Sequence, residues 1–349
     1  MIVMSSQRIE VRKIQATGVS SYTISLPKTW IDQFNLKRGD KIQLIQQDDA
    51  TLTLIPNDIQ KQKPRAISTS TSSSESSDSI IRKVVSFYLL GYNMIKITAK
   101  DQFTPEQRDA LKDFVRRRLV GVEILTDSNK EFIVQTLLTY SELSVENALR
   151  RMATIVASMH REVMTALKGD DKRLAQSIIR TDDEVDRFSF YIIRQLKYAV
   201  NDNRIVKEIG LKTPRDCLGY RQITTYVERS ADHAVNIAKA ILDMKPIPQA
   251  LAVQIIDMNT FALSIFEDAI HSLFSHDYNE AEKTLTRRET LETYEQHIIK
   301  TMTTTKLDSN TVASLRLILE SIRRLAKYGA DIAEIVLNLT AEGIGIQEA

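Results

Sequence analysis

The spacing of apolar residues changes period along the chain and divides it into four kinds of segment. In the first, apolar and polar residues alternate in short runs. Tyr22-Thr23-Ile24-Ser25-Leu26 reads as a strand, Lys41 to Gln46 and Thr51 to Ile55 as two more. Trp30, Ile31 and Phe34 carry a short helix opened by Pro27-Lys28. Gly39-Asp40 and Asp48-Asp49 are turn signals between the runs. In the second segment, residues 57–79, the pattern lapses. Ser68 to Ser79 is all Ser and Thr apart from Glu75 and Asp78, and it follows the polar Gln60-Lys61-Gln62-Lys63-Pro64-Arg65. That composition has too little apolar surface for a core and predicts a flexible linker.

Residues 80–139 mix the two periods. Ile80, Ile81, Val84, Val85 and Tyr88 form a helical stripe ended by Gly91, and Met94 to Thr98 alternates as a strand. Thr104-Pro105-Glu106-Gln107 is a capping signal for a helix through Leu111, Phe114 and Val115. Val122 to Leu125 and Phe132 to Val134 flank a turn at Asp127-Ser128-Asn129, so a small helix-covered sheet is expected. From Ser141 the period is helical throughout, in two similar halves. Each half has a long helix, a tight turn, a second long helix, a connection and a third helix. Gly169-Asp170-Asp171 and Ser275-His276-Asp277 are equivalent turns, and Met244-Lys245-Pro246-Ile247-Pro248 separates the halves. Leu149, Met152, Ile155, Val156, Met159, Val163 and Leu167 have bundle-core spacing, which makes the two methionines packing residues. The expected fold is multidomain and mainly α. A β domain covers 1–56, a linker 57–79, a small α/β domain 80–139, and two tandem three-helix bundles 140–245 and 246–342.

Composition changes this picture little. At 43% apolar and 26% charged, the chain has enough apolar material for a sizeable core. A net charge of +2 gives no argument for nucleic acid, so only local clusters could. They are Arg8, Arg12 and Lys13, then Lys37, Arg38 and Lys41, offset by Asp32, Asp40, Asp48 and Asp49. The single cysteine, Cys217, excludes an internal disulfide and a Cys-based zinc site and fits a reducing cytosol. No apolar run approaches the roughly 18 residues of a spanning helix, and no signal-type apolar core opens the chain. A cytoplasmic protein without direct membrane insertion is expected.

Candidate chemistry concentrates in the first helical half. Asp182-Asp183-Glu184-Val185-Asp186 lies on its second helix and Glu228-Arg229-Ser230-Ala231-Asp232-His233 on its third. Asp182 and Asp186, and likewise Glu228 and Asp232, are four apart and share a helix face. Four converging carboxylates repel one another unless a cation neutralises them, which is the case for an oxygen-ligated metal. The alternative is a solvated acidic face balanced by Arg180, Arg187, Arg194 and Arg229. In the second half the matching positions hold Arg288, Glu292, Arg323 and Lys327, a poor cation set suited to internal ion pairs or an anion. At most one metal site, in the first half, is therefore expected. His160, His233, His271, His276 and His297 are scattered and read as structural or exposed. The sequence has no Glu-x-x-His pair, Gly-rich phosphate loop or nucleophile elbow, so no catalytic residue is assigned and no enzyme is expected.

Two stretches carry family resemblances. Leu26-Pro27-Lys28, followed by Leu36-x-x-Gly39-Asp40-x-Ile42, resembles the AbrB/MazE-type (SpoVT-AbrB) swapped-hairpin domain. That resemblance implies DNA binding through Arg8, Arg12, Lys13 and Lys28. It also implies a homodimer, because strands of two protomers interleave, and hence a pseudo-palindromic operator. Asp182-x-x-Val185-Asp186, with Glu228-Arg229-x-Ala231-Asp232-His233-Ala234-Val235-Asn236-Ile237-Ala238, resembles the PhoU family of phosphate-uptake regulators, built from two three-helix repeats. It implies a metal ion (iron, zinc or magnesium) at Asp182, Asp186, Glu228 and Asp232, and control of phosphate import and signalling. The fusion of the two resembles regulators of the archaeal type. Together they imply a phosphate-responsive regulator with a DNA-binding head and a metal-binding sensor bundle. The alternative is an adaptor that dimerises through the head and inhibits a phosphate ABC transporter by protein–protein contact. Salt-sensitive DNA binding separates the two.

Overall fold

A computed structural model describes residues 9–18, 20–46, 50–56, 65–137, 143–200, 203–287, 289–343 and 345. The chain divides into two compact units, Met1–Lys63 and Pro64–Ala349.

The N-terminal unit follows its sequence pattern in its helix and its second ribbon, whereas the strand expected over Tyr22–Leu26 is confined to Tyr22–Thr23 and its partner at Gln15–Ala16 carries no apolar alternation. Strands β1 (Gln15–Ala16) and β2 (Tyr22–Thr23) pair antiparallel. Helix α1 (Lys28–Gln33) starts after the extended Pro27, and the rings of Trp30 and Phe34 meet edge to face at 5.4 Å. Strands β3 (Ile42–Gln46) and β4 (Leu52–Pro56) form a second antiparallel ribbon with Leu44 opposite Leu54. The turn before β3 needs Gly39 at φ 97°, and Asp40 Oδ2 accepts a 2.6 Å bond from the Lys37 amide. Two short ribbons and one helix enclose little. Among the described residues of this unit only Pro56 is buried.

The second unit begins with a correction. The Ser/Thr-rich stretch is no linker: Ala66–Thr71 is strand β5, paired in parallel with β6 (Met94–Ala99), and helix α2 (Ser77–Leu89) starts where a linker was expected to end. The α/β domain thus starts near residue 65 rather than at 80. Glu75 organises the intervening turn. Its carboxylate accepts from Lys83 Nζ at 2.8 Å, the Ser79 hydroxyl at 2.7 Å and the Thr71 hydroxyl at 2.9 Å. Lys83 chiefly holds that carboxyl down at about 2. The buried Gln107 donates to the carbonyls of Ser72 and Glu75 from α3 (Pro105–Arg118), whose Thr104 capping box forms as expected. Strands β7 (Val122–Asp127) and β8 (Glu131–Thr136) complete a sheet in the order β5-β6-β8-β7. Its core is Ile80, Val84, Tyr88, Ile95, Ile97, Leu111, Val115, Phe132 and Val134, drawn from α2, α3, β6 and β8.

The helical body holds the two expected repeats. The first comprises α4 (Val145–Gly169), α5 (Lys172–Ala199) and α7 (Asp216–Asp243), with the short α6 (Asn203–Glu208) in its connection. The second comprises α8 (Gln249–Ser275), a broken second helix α9 (Tyr278–Thr286) and α10 (Glu289–Thr304), and α11 (Ser309–Thr340). The two tight turns are built alike. Asp170 (φ 49°) and His276 (φ 53°) end their helices in the left-handed region, and Asp171 and Asp277 cap the helices that follow. Met152 and Met159 are buried in the core as expected, and that core runs without a break through both repeats. α11 lies so close to α8 that a Cβ on Gly329 would fall 2.9 Å from the Phe266 backbone. One expectation needs revision: α8 is long and apolar enough, by length and composition, to cross a membrane. Half of that stretch is buried inside the bundle, as befits a core helix.

Candidate functional site

The candidate site forms where α5 meets α7. α5 starts at Asp171, whose Oδ1 accepts 3.0 Å bonds from the Arg173 and Leu174 amides. Ala175, Ile178, Val185, Ile192 and Leu196 bury one side of it in the bundle. Fixing that side leaves Asp182 and Asp186 half-buried beside α7, which contributes the half-buried Glu228 and, at the solvent rim, Asp232. These four carboxyl groups are close enough to act on each other. Glu228 is pushed up to about 7, first by lost hydration and then by Asp232, Asp186 and Asp182. Asp182 rises to about 6 through lost hydration and the charges of Asp186 and Asp232. Lost hydration also raises Asp186, opposed chiefly by Arg118, and Asp232, opposed first by Arg229 and then by Lys239 and Arg118.

Arg118 is the residue that sequence reading missed. It ends α3, in the α/β domain, and its guanidinium bridges Asp183 Oδ1 at 2.6 Å and Asp186 Oδ2. Arg117 Nη1 stands 3.9 Å from Asp183 Oδ2. In sequence the run Arg116-Arg117-Arg118 reads as favourable charge at a helix C-terminus, and nothing local ties it to α5. Arg194, one of the arginines expected to balance an acidic face, points the other way. It is buried, donates to the carbonyls of Tyr92 (3.1 Å) and Tyr88, and lies 4.7 Å over the Tyr88 ring.

The donor set suits a hard cation by type and charge, being four carboxylates on two adjacent helices. As placed, no three His, Cys, Asp or Glu side chains among the described residues are gathered tightly enough to hold a metal ion. Mutual repulsion and the pull of Arg118 on Asp186 both act to hold the carboxylates apart.

Comparison with known proteins identifies the architecture around this cluster. A family model described as the PhoU domain matches residues 149–241 and 255–336, half of the chain and one block per repeat. The chain belongs to the PhoU family. Within this PhoU-family chain a second model, "Antidote-toxin recognition MazE, bacterial antitoxin", matches residues 15–63. A curated relative from Clostridium acetobutylicum, "Phosphate-specific transport system accessory protein PhoU homolog", is 30% identical over 103 residues. The match covers 28% of this chain and 43% of that protein, so the chain spans less than half of the relative's length. Among solved structures, a phosphate transport system regulatory protein PhoU from Streptococcus pneumoniae is similar at 22% identity and TM-score 0.49, covering 58% of this chain and 96% of that one. PhoU from Pseudomonas aeruginosa is similar at 18% identity and TM-score 0.47, covering 57% and 96%.

The second PhoU repeat lacks the acidic set. Arg323 pairs with Glu320 at 3.2 Å and Glu295 at 3.8 Å, the internal ion pairing expected there, and Arg288 lies outside the described residues. His160 is structural: fully buried, it donates from Nε2 to the Ser230 carbonyl at 2.8 Å, and burial holds it down at about 4. His233 turns from the cluster toward the ring of Tyr328 on α11, 5.7 Å away. In the N-terminal unit Arg12, Lys13 and Lys28 are exposed, Arg12 pairs with Glu10, and Arg8 lies outside the described residues.

Proposed function

We propose that this PhoU-family chain is a phosphate-responsive regulator. It works as a homodimer joined through the N-terminal unit, with Arg8, Arg12, Lys13 and Lys28 on DNA and the first helical repeat as a cation-dependent sensor. One observation carries the reading of the head. Ile9, Val11, Tyr22, Leu44 and Leu52 are 65–92% exposed in a unit that buries almost nothing of its own. Apolar surface on that scale calls for a partner. A second copy is favoured because the unit supplies half a core of paired ribbons, and two-fold pairing would set the basic side chains at two equivalent half-sites. The phosphate link is supported by the family and by the name of the Clostridium relative.

In the sensor, Asp182, Asp186, Glu228 and Asp232 would hold the cation. When bound, it would supply the positive charge that cancels their repulsion. The second reading, an adaptor whose head only dimerises and whose bundle contacts a phosphate ABC transporter, is favoured by one detail: Glu10 engages Arg12 and lowers the free positive charge of the head.

Genome-wide sequencing of DNA captured by the full chain, beside the double variant Lys13→Glu/Lys28→Glu, decides between them. A symmetric site near phosphate-transport genes, lost in the variant and weakened steeply by salt, is the expected result. No enrichment at low salt would leave the adaptor.

A further inference from the structure

The sheet of the α/β domain has two edges, and they are built differently. β7 carries Glu123, Asp127 and a bulge between Ile124 and Thr126, features that discourage a further strand. β5, at the other edge, runs Ala66-Ile67-Ser68-Thr69-Ser70-Thr71 with no charge, proline or register shift. The ladder fixes the direction of its free hydrogen-bonding groups. The Arg65 carbonyl accepts from the Met94 amide at 3.2 Å and the Thr71 carbonyl from the Lys100 amide at 2.9 Å, so residues 65, 67, 69 and 71 face β6. Ala66, Ser68 and Ser70, all exposed, turn their amides and carbonyls to the open side, where among the described residues no strand pairs with them. Lys83 Nζ reaches the Ser70 carbonyl at 3.2 Å and occupies one of its two lone pairs. We infer that this edge is a self-pairing surface: β5 of a second copy adds to it antiparallel, about a two-fold axis at Ser68, and joins two four-stranded sheets into one.

A second copy fits because the edge is complementary to itself. With the axis at Ser68, Ser68 faces its own copy, Ala66 faces Ser70, and each outward amide meets an outward carbonyl. An axis at Thr69 would pair Ser68 with Ser70 but leave Ala66 opposite Ser72, beyond the strand. The Ser68 axis also sets Ile67 across from Thr69, β-branched against β-branched. The ends match in charge. Residue 65 of one strand lies opposite residue 71 of the other. The exposed Arg65, which lies 4.8 Å over the Tyr92 ring, thereby faces the end where Glu75 accepts from the Thr71 hydroxyl at 2.9 Å. The two-fold makes that match twice. Six residues a side is a small contact, so the pairing works beside the head. Once two heads join their chains, each β5 meets the other at high effective concentration, and in that respect the inference rests on the proposed head dimer.

Disulfide trapping in the full-length chain tests the pairing. Facing residues that exchange both backbone bonds have Cα atoms about 5.5 Å apart, within disulfide reach, while residue 66 and its copy would stand roughly 14 Å apart. The native Cys217 is buried and does not compete. Under a mild oxidant, Ser68→Cys should form a covalent dimer on the order of tenfold faster than Ala66→Cys or the β7-edge variant Glu123→Cys. The double variant Ala66→Cys/Ser70→Cys should match Ser68→Cys. Adding Arg65→Glu to Ser68→Cys sets like charges at both ends and should slow the cross-link several-fold. Adding Leu44→Glu/Leu52→Glu should slow it as well, by parting the heads. Equal rates at residues 66 and 68 overturn the pairing, and light scattering on the same sample shows whether the head dimer falls with it. Fast cross-linking at residue 68 that Leu44→Glu/Leu52→Glu leaves unchanged keeps the pairing and overturns the part given to the head.

Discussion

Glu228 and His160 lie on facing elements of one bundle and respond to pH with opposite sign. Glu228 stands at about 7 against an ordinary 4.5, so the folded state loses stability as pH rises through that window, and the loss is complete above it. Asp182 behaves likewise between 3.8 and about 6. His160, held near 4 against an ordinary 6.5, stabilises the fold fully above 6.5, and that contribution fades as pH falls toward 4. Glu228→Gln isolates the first effect. Without added metal and with chelator present, its thermal midpoint at pH 7.5 should exceed that of the native chain by a few degrees, and the gain should vanish at pH 4.5. A lower midpoint at pH 7.5 would mean that the carboxylates do not repel in the folded protein. The spacing of these residues was plain in the sequence. Their half-burial was not, because it depends on how deeply α5 and α7 pack together.

Among the elements, α5 has three duties around its circumference: a core side in the bundle, an acidic side toward α7, and a docking side toward α2 and α3. Arg194 anchors the docking side through the carbonyls at the end of α2 and in the turn after it, and through two tyrosine rings. Arg194→Ala would remove the donor to the Tyr92 carbonyl and leave a gap beneath the rings. We expect about 2–4 kcal/mol lost in urea unfolding, and an effect near zero would show that the docking side is held elsewhere. The same scale explains why β5 resembles a linker in composition. An edge strand that lends the core little beyond Ile67 can otherwise be built from Ser and Thr, and its status rests on backbone pairing with β6 that composition does not report.

For the whole molecule, the question is how a head without a core becomes stable. Leu44 and Leu52, 66% and 65% exposed in the single chain, should be covered in the dimer. Leu44→Glu/Leu52→Glu should turn a dimer at micromolar concentration into a monomer by light scattering, with the helical content of the body unchanged. A native chain that is monomeric over that range would remove both the dimer and the palindromic operator.

What the sequence determined by itself was whatever one segment decides alone: the 3.6-residue period of the bundle helices, the Thr104 capping box, the paired turns at Asp170 and His276, the second ribbon of the head, and the i, i+4 carboxylates. Each follows from interactions within a few residues. Only the tertiary structure could decide that a serine-rich stretch is a strand, that Arg194 faces the α/β domain, and that Arg118 meets Asp186. Each of those depends on a partner distant in sequence, and local composition carries no record of which distant group completes a pair.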